Sequence, residues 1–454
     1  MTVLPPGPLV AWYGDDFTGA AATMEAMSFA GLPAAVFFAP PSTAMLSKFP
    51  GLRGIGIAGT ARSQTPAWMH EHLPALLKGL QSTGAPLLQY KICSTLDSSP
   101  SMGSIGTAMD VAHSVLGCDF FPILPAAPPM GRYQVFGTLF ASAQGGVYRL
   151  DRHPVMSRHP ITPMNEADVA QHLSDQTSIP LATLPLAVLR GEGARAWLEA
   201  QRHSGRIGIT LDALSADDMA AVGRLLWEMR DERTLCIASQ GLQYALIEFW
   251  RREGVLPPQP PAGSAGYAGP IAVVSGSVSS TTAAQIAHAE ADGFAVIALD
   301  AAALIERPED TVSEAVASAL PLLASGTDVL FCTARGPDDP AVAAFNAWTA
   351  AHGIPAGESA GAIGAGLGEI LRLLVGQAGL RRAVVSGGDT SGHAVRRLGL
   401  EALTALAPTI PGAGLCIAHA SDGTVDGMQL ALKGGQMGTP DYFSWIRSGA
   451  GRRD

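Results

Sequence analysis

The sequence predicts an α/β protein of two domains, each a mainly parallel sheet flanked by helices. Three observations predict it. Short apolar runs alternate with helix-like segments through the first half, the pattern of a parallel sheet covered on both faces. A stretch of Pro, Gly and small residues, GVLPPQPPAGSAGYAG at 254–269, then interrupts the alternation, which restarts at Ile271. Finally, 454 residues are two to three times the commonest domain size. The expected division is therefore 1–253, a linker at 254–269 that offers little to bury, and 270–454.

The elements follow in order. Residues 9–13 read as a strand, 14–19 as a loop and 20–30 as a helix stopped by Gly31-Leu32-Pro33. Further strands are expected at 35–38, 54–58, 87–92 and 120–124, with helices at 66–80 and 105–116 among them, and 242–252 closes the first domain as a helix. Beyond the linker, three segments share one design of apolar strand, Gly-rich loop and helix start. They run from 271 through Ser275-Gly276-Ser277 into 283–291, from 383 through Gly387-Gly388-Asp389-Thr390 into 393–398, and from 428 through Lys433-Gly434-Gly435 to 440–446.

Composition removes several function classes. Charged residues are 15% of the chain against a typical ~25%, and 29 Lys+Arg face 39 Asp+Glu without a basic block. A nucleic-acid partner, which needs a basic face, is not expected. The N-terminus has no basic region ahead of an apolar stretch, and no run of about 18 uncharged apolar residues occurs, so neither a leader nor a membrane span is expected. Five scattered cysteines without CxxC, and eleven histidines without HExxH, fit a cytoplasmic protein with no disulfide framework or zinc site.

Glycine lets backbone approach a ligand, and free N–H groups at a helix start attract anions. Three such loops in one domain, at the carboxyl ends of strands, point to a polyphosphate site. No GxxxxGK[ST] is present, and no GxGxxG follows the first strand, which argues against a nicotinamide-dependent dehydrogenase. A fourth glycine-rich stretch, 361–368, precedes a helical run at 369–375 and reads as either support for adenine or ribose or, preferably, close helix packing.

In the first half, Asp15 and Asp16 follow the first strand. One of them capping the helix is the bland explanation; the chemical one has a carboxylate take a hydroxyl proton while the other fixes a substrate hydroxyl or a metal. Arg62 and Lys91 lie at or just beyond two further strand ends, beside hydroxyl-rich loops that suit an anionic polyhydroxylated ligand. His153 and His159 have no partner identifiable from spacing.

These residues resemble the four-carbon acid sugar kinase family, formerly a domain of unknown function. Tyr13-Gly14-Asp15-Asp16-Phe17-Thr18-Gly19-Ala20 is similar to its opening DDxTGA motif. The likeness continues through Lys91 with Ser94-Thr95-Leu96-Asp97-Ser98, Pro125-Ala126, Gly131-Arg132 and His159-Pro160-Ile161-Thr162-Pro163-Met164. It ends in Ser275-Gly276-Ser277, Gly387-Gly388-Asp389-Thr390-Ser391-Gly392 and Lys433-Gly434-Gly435. The resemblance implies a sugar-acid-binding domain, an ATP-binding domain and an active-site cleft between them. Asp15, Asp16, Arg62, Lys91, Ser94 and Asp97 would line the sugar-acid site. Ser275, Gly276, Ser277, Gly387, Gly388, Asp389, Thr390, Gly434 and Gly435 would hold ATP. Many members carry KIDSTLRGN where this chain has Lys91-Ile92-Cys93-Ser94-Thr95-Leu96-Asp97-Ser98, the Arg giving way to Asp97-Ser98. That variant is closer to the branch of 3-oxo-tetronate and 3-oxo-isoapionate kinases.

The expected reaction is transfer of the ATP γ-phosphoryl group to a terminal hydroxyl of a small sugar acid. Asp16, or else Asp15, accepts the proton, and Mg²⁺ bridges the phosphates with Asp389 as its candidate ligand. A non-catalytic sugar-acid sensor is the alternative, and a homodimer is left open.

Overall fold

The computed structural model describes residues 3–159, 161–203 and 205–453; the side chains of Ala356 and Asp389 lie outside the description, as does Pro160 of the expected His159–Met164 motif. The chain divides into two compact units, Met1–Pro260 and Pro261–Asp454.

In the first unit, β1 (Val10–Gly14), β2 (Ala34–Phe37), β3 (Gly54–Ala58), β4 (Leu87–Lys91) and β5 (Phe120–Leu124) lie close to the strands expected from the sequence. A small antiparallel sheet follows, of β6 (Arg132–Val135), β7 (Thr138–Ala143) and β8 (Gly146–Arg149), and then β9 (Leu181–Leu184), β10 (Ile207–Leu211) and β11 (Leu235–Ala238). The main sheet runs β2-β3-β1-β4-β11-β5-β10-β9, with all these neighbours parallel. Strand β1, VAWYG, is buried along its whole length, as a central parallel strand covered on both faces must be. Helices Pro66–Gln81 and Ile105–Leu116 bury Leu73, Leu77, Ala108 and Met109 against it in one apolar cluster. Ser104 caps the second helix and Gly117, in the left-handed region, ends it.

The β6–β7 turn is the part of this unit with the weakest sequence signal. Phe136 and Gly137 both have positive φ (49° and 77°), the geometry of a two-residue hairpin turn. The strain at Phe136 is held by the buried Asp212 carboxylate, which accepts from the backbone N–H of Phe136 at 2.5 Å and of Gly137 at 2.9 Å.

In the second unit, β12 (Ala272–Ser275), β13 (Ala295–Ala298), β14 (Val329–Cys332), β15 (Arg382–Ser386), β16 (Leu400–Ala407), β17 (Leu415–Ala420) and β18 (Gln429–Lys433) form the order β13-β14-β12-β15-β18-β17-β16. The pairs from β13 to β18 are parallel, and β17 runs antiparallel to both its neighbours. Residues 264–266 pack on this unit: Ala265 N–H donates to Gly449 O at 2.8 Å and the Arg382 guanidinium to Gly266 O at 2.7 Å.

Two expectations differ in extent. The helical run expected at 369–375 begins earlier and takes in the glycine-rich stretch 361–368 within one helix, Ala356–Ala378, which agrees with the preferred reading of close helix packing. Its glycines let another helix, Gly388–Arg397, approach: a Cβ at Gly364 would lie 2.6 Å from His393 Cβ, and one at Gly368 2.7 Å from Ala394 Cα. Close packing outweighs the ~1 kcal/mol that each glycine costs a helix. By length and composition this helix could cross a membrane; its Glu369, however, pairs with Arg372 and Arg397, and half of the apolar window is buried. The second difference is that the Gly387–Thr390 segment is largely helix already, beginning at Gly388.

Candidate active site

The charged residues singled out in the first half meet at the carboxyl ends of three adjacent strands, β3, β1 and β4. Ligands bind there in open parallel sheets, where the strand order reverses. Asp15 and Asp16 follow β1, Arg62 lies four residues beyond β3, and Lys91 is the last residue of β4. Backbone bonds lock the three ends together, with Asp15 N–H donating to Lys91 O at 3.0 Å and Arg62 N–H to Asp15 O at 2.9 Å.

The two aspartates have different environments. Asp15 is buried, and Arg62 grips it through Nη2 at 2.6 Å and Nε at 3.3 Å. Burial pushes the Asp15 carboxyl above its ordinary range, with Arg62 opposing. Asp16 keeps 27% of its side chain exposed. Its Oδ1 accepts from Gly19 N–H at 2.9 Å, capping helix Phe17–Ser28, and forms an ion pair with Arg62 Nη2 at 2.8 Å. Capping and chemistry are therefore not alternatives at this residue. Because the Nε and Nη2 edge of Arg62 is taken by Asp15, bidentate capture of a substrate carboxylate through that edge is closed in this arrangement.

Lys91 is buried, with Nζ donating to Ile92 O at 2.7 Å; burial lowers its pKa while Asp16 and Asp15 oppose. Gly19 is fixed by this crowding, since a Cβ there would lie 2.4 Å from Asp16 Oδ1 and 2.7 Å from Lys91 Nζ. Gly19→Ala is expected to displace both groups and lower kcat at least about tenfold with the protein folded, checked by steady-state kinetics beside a circular-dichroism melt.

The loop after β4 adds Ser94 and Asp97. Thr95 Oγ1 donates to Asp97 Oδ1 at 2.8 Å, and the Asp97 charge is among those that raise the pKa of Arg62. Ser94 is buried in the same loop. Sequence reasoning passed over three groups here. Cys93, beside Thr95 Oγ1 at 2.9 Å, has its thiol pushed up to about 11, chiefly by burial and by Asp97, so it is no thiolate nucleophile. His172 and Gln176 lie more than seventy residues along the chain, yet both touch Ser98 Oγ, at 3.1 and 3.0 Å. They brace a loop in which Leu96 has φ +53°. Nothing in local spacing could have linked them to it. His153 and His159 staple their own loops: Nδ1 of His153 accepts from Val155 and Met156 N–H, and Nδ1 of His159 from Thr162 N–H.

In the second unit a cavity of about 440 Å³ opens over the ends of β12, β14 and β15. Gly276, Ser277, Gly387, Gly388 and Thr390 line it. A Cβ on Gly276 or Gly387 would lie 2.4 or 2.6 Å from Thr390 Oγ1, so both positions need glycine. Ser275, Gly434 and Gly435 are not among the lining residues. Ser275 is buried beneath the loop, its Oγ 3.4 Å from Ser277 N, and Gly435 O accepts from Ser279 Oγ at 2.6 Å and Thr282 Oγ1 at 3.0 Å. Lys433, which ends β18, is buried with Nζ donating to Thr282 Oγ1 and Gly434 O, and burial lowers its pKa to about 8. Among the described residues no group of three or more His, Cys, Asp or Glu could hold a metal ion. Asp389 is in the first turn of helix Gly388–Arg397, but its side chain lies outside the described residues.

One unit thus gathers acids and cations at its strand ends, and the other surrounds a cavity with glycine turns and hydroxyls, the equipment of a sugar-binding and nucleotide-binding enzyme. Residues 10–246 match the family of sugar-binding N-terminal domains and residues 272–443 that of nucleotide-binding C-terminal domains. The chain belongs to the four-carbon acid sugar kinase family. It is 43% identical over 450 residues to a 3-oxo-isoapionate kinase of Paraburkholderia graminis, covering 99% of this chain and 96% of the relative. A 3-oxo-tetronate kinase of Methylobacterium radiotolerans is 33% identical over 94% of this chain and 96% of its own length. A solved Haemophilus influenzae protein of the DUF1537 family shares the fold, at TM-score 0.72 and 23% identity over 96% of this chain and 99% of that one.

Proposed function

We propose that this protein transfers the γ-phosphoryl group of ATP to a terminal hydroxyl of a small 3-oxo sugar acid of the 3-oxo-isoapionate kind. The observation that carries the chemistry is the arrangement of Asp15, Arg62, Asp16 and Lys91 at adjoining strand ends. The acceptor class is supported by the full-length identity to the 3-oxo-isoapionate kinase and by Asp97-Ser98 in the loop after β4.

Phosphoryl transfer needs positioning and charge neutralisation more than covalent chemistry. Asp16, the more open carboxylate, accepts the proton of the acceptor hydroxyl as its oxygen bonds to the γ-phosphorus and the bond from that phosphorus to the β-phosphate bridging oxygen breaks, releasing ADP. Asp15 holds Arg62, Arg62 aims Asp16, and Lys91 supplies positive charge beside the acid's carboxylate or hydroxyls. Ser94 and Asp97 bound the acceptor from the loop after β4. Gly276, Ser277, Gly387, Gly388 and Thr390 cradle the nucleotide, with Ser275, Gly434 and Gly435 supporting that loop from beneath. Mg²⁺, a hard cation, would neutralise charge on the phosphates, with Asp389 as the proposed protein ligand that would hold it. A cytoplasmic location fits the five free cysteines, and a homodimer remains part of the proposal.

The test is ADP release with Mg-ATP across tetronates, 3-oxo-tetronates and 3-oxo-isoapionate. Highest kcat/KM on 3-oxo-isoapionate supports the reading, and preference for a 3-oxo-tetronate moves the acceptor within the family. No turnover with ATP binding intact overturns the acceptor class, and no ATP binding overturns the kinase itself.

A further inference from the structure

The cavity of the second unit has two unlike sides. Glycine turns and the Ser277 and Thr390 hydroxyls make one; Val342 and Phe345 of helix Pro340–His352, with Ala360 and Ile363 of helix Ala356–Ala378, make the other. A polyphosphate suits the first side and has no use for the second.

Helix Pro340–His352 is unusual in its own right. Its sequence, PAVAAFNAWTAAH, is largely apolar, yet none of its residues is buried. A helix of thirteen residues draws most of its stability from an apolar face packed on something. Here Val342, Phe345 and Asn346 fall at i, i+3 and i+4, one face, and that face lines the cavity. Phe345 is already held in place, its ring 6.0 Å from that of Trp348 and stacked on it, while Trp348 Nε1 donates to Glu306 at 3.2 Å. Asn346, exposed, adds a polar side chain beside the apolar residues that line the cavity.

We infer that this face of helix Pro340–His352 is the adenine-recognition wall of the nucleotide site. Phe345 stacks on the purine, with Val342 and Ile363 closing around it, and the Asn346 amide reads the base edge. An amide offers one acceptor and one donor, matching N6–H and N7 of adenine; guanine presents two acceptors on that edge and leaves the Asn346 carbonyl without a partner. The inference rests on the ATP reading above and assigns the base-specific part of that site.

Its test uses the full chain with Phe345→Ala and Asn346→Ala, measuring affinity for ATP, GTP and inorganic triphosphate beside steady-state kinetics. Phe345→Ala should weaken ATP at least about tenfold, the cost of a lost base–aromatic stack, leaving triphosphate affinity unchanged. Asn346→Ala, at an exposed position where folding is not at stake, should reduce the ATP-over-GTP preference about tenfold. Unchanged ATP affinity and unchanged ATP/GTP preference in both variants would overturn the inference while leaving the kinase reading intact. Equal loss of triphosphate and ATP binding would also overturn it, because the side chains would then shape the phosphate side. A wild-type chain that binds no nucleotide would overturn both readings together.

Discussion

Asp16→Asn is expected to lower kcat by about 10²-fold or more while ATP affinity stays within about twofold of wild type. The substitution keeps the shape of the side chain. An amide oxygen can still accept from Gly19 N–H, as Asp16 Oδ1 does at 2.9 Å, so the cap and the helix survive, while the ion pair with Arg62 Nη2 loses its charge. What disappears is the ability to take a proton from the acceptor hydroxyl. Asp15→Asn separates the roles, because Asp15 is buried and gripped by Arg62: its loss should act through the position of Arg62 and raise KM for the acid as well as lowering kcat. Near-normal turnover of Asp16→Asn, with Asp15→Asn the more damaged, would reverse the assignment of the base. Single-turnover measurements make the comparison without interference from product release.

Arg62→Ala is expected to be the most destabilising single change at the site, by roughly 3–5 kcal/mol, because it strands a buried carboxylate. Arg62 lies between both aspartates, with Nη2 2.6 Å from Asp15 and 2.8 Å from Asp16. Asp15 is the partner that cannot turn to water: its side chain is 3% exposed, against 27% for Asp16. The double variant Asp15→Asn/Arg62→Ala should therefore recover a large part of the lost stability while remaining catalytically poor. Urea unfolding of wild type, both single variants and the double closes the cycle. A double variant no more stable than Arg62→Ala would show that Arg62 supports the fold by packing alone. Activity should not return in either Arg62 variant, since Asp16 loses the cation that aims it.

Much of this organisation was legible in the chain because it is local. The apolar runs that became β1, β3, β4 and β5 are buried parallel strands, and each is followed within a few residues by the turn or helix that its sequence announces. Capping of the first helix by one of Asp15 and Asp16, and the glycines of the Ser275–Ser277 and Gly387–Thr390 turns, are short-range features with short-range signals. The adjacency of Asp15, Arg62 and Lys91 was readable only in outline, through their common position at strand ends. The order β3-β1-β4 makes them neighbours, and strand order belongs to the packed sheet.

The remainder had no local signal to read. The 361–368 glycines suggest close helix packing, but which helix lies against them, Gly388–Arg397, is settled only in the folded unit. The strained Phe136 turn exists because Asp212, far along the chain, collects its N–H groups. His172 and Gln176 brace Ser98 from a distant helix and turn. By itself, then, the sequence determined most element types and the two-unit plan, because periodicity, capping and glycine placement act within a few residues, and its motifs carried the resemblance to the family. The tertiary structure alone decided which carboxylate is buried and which is open, that one edge of Arg62 is taken by Asp15, and that an apolar helix lines the cavity of the second unit, because burial and ion pairing depend on groups that meet only when the sheet has closed.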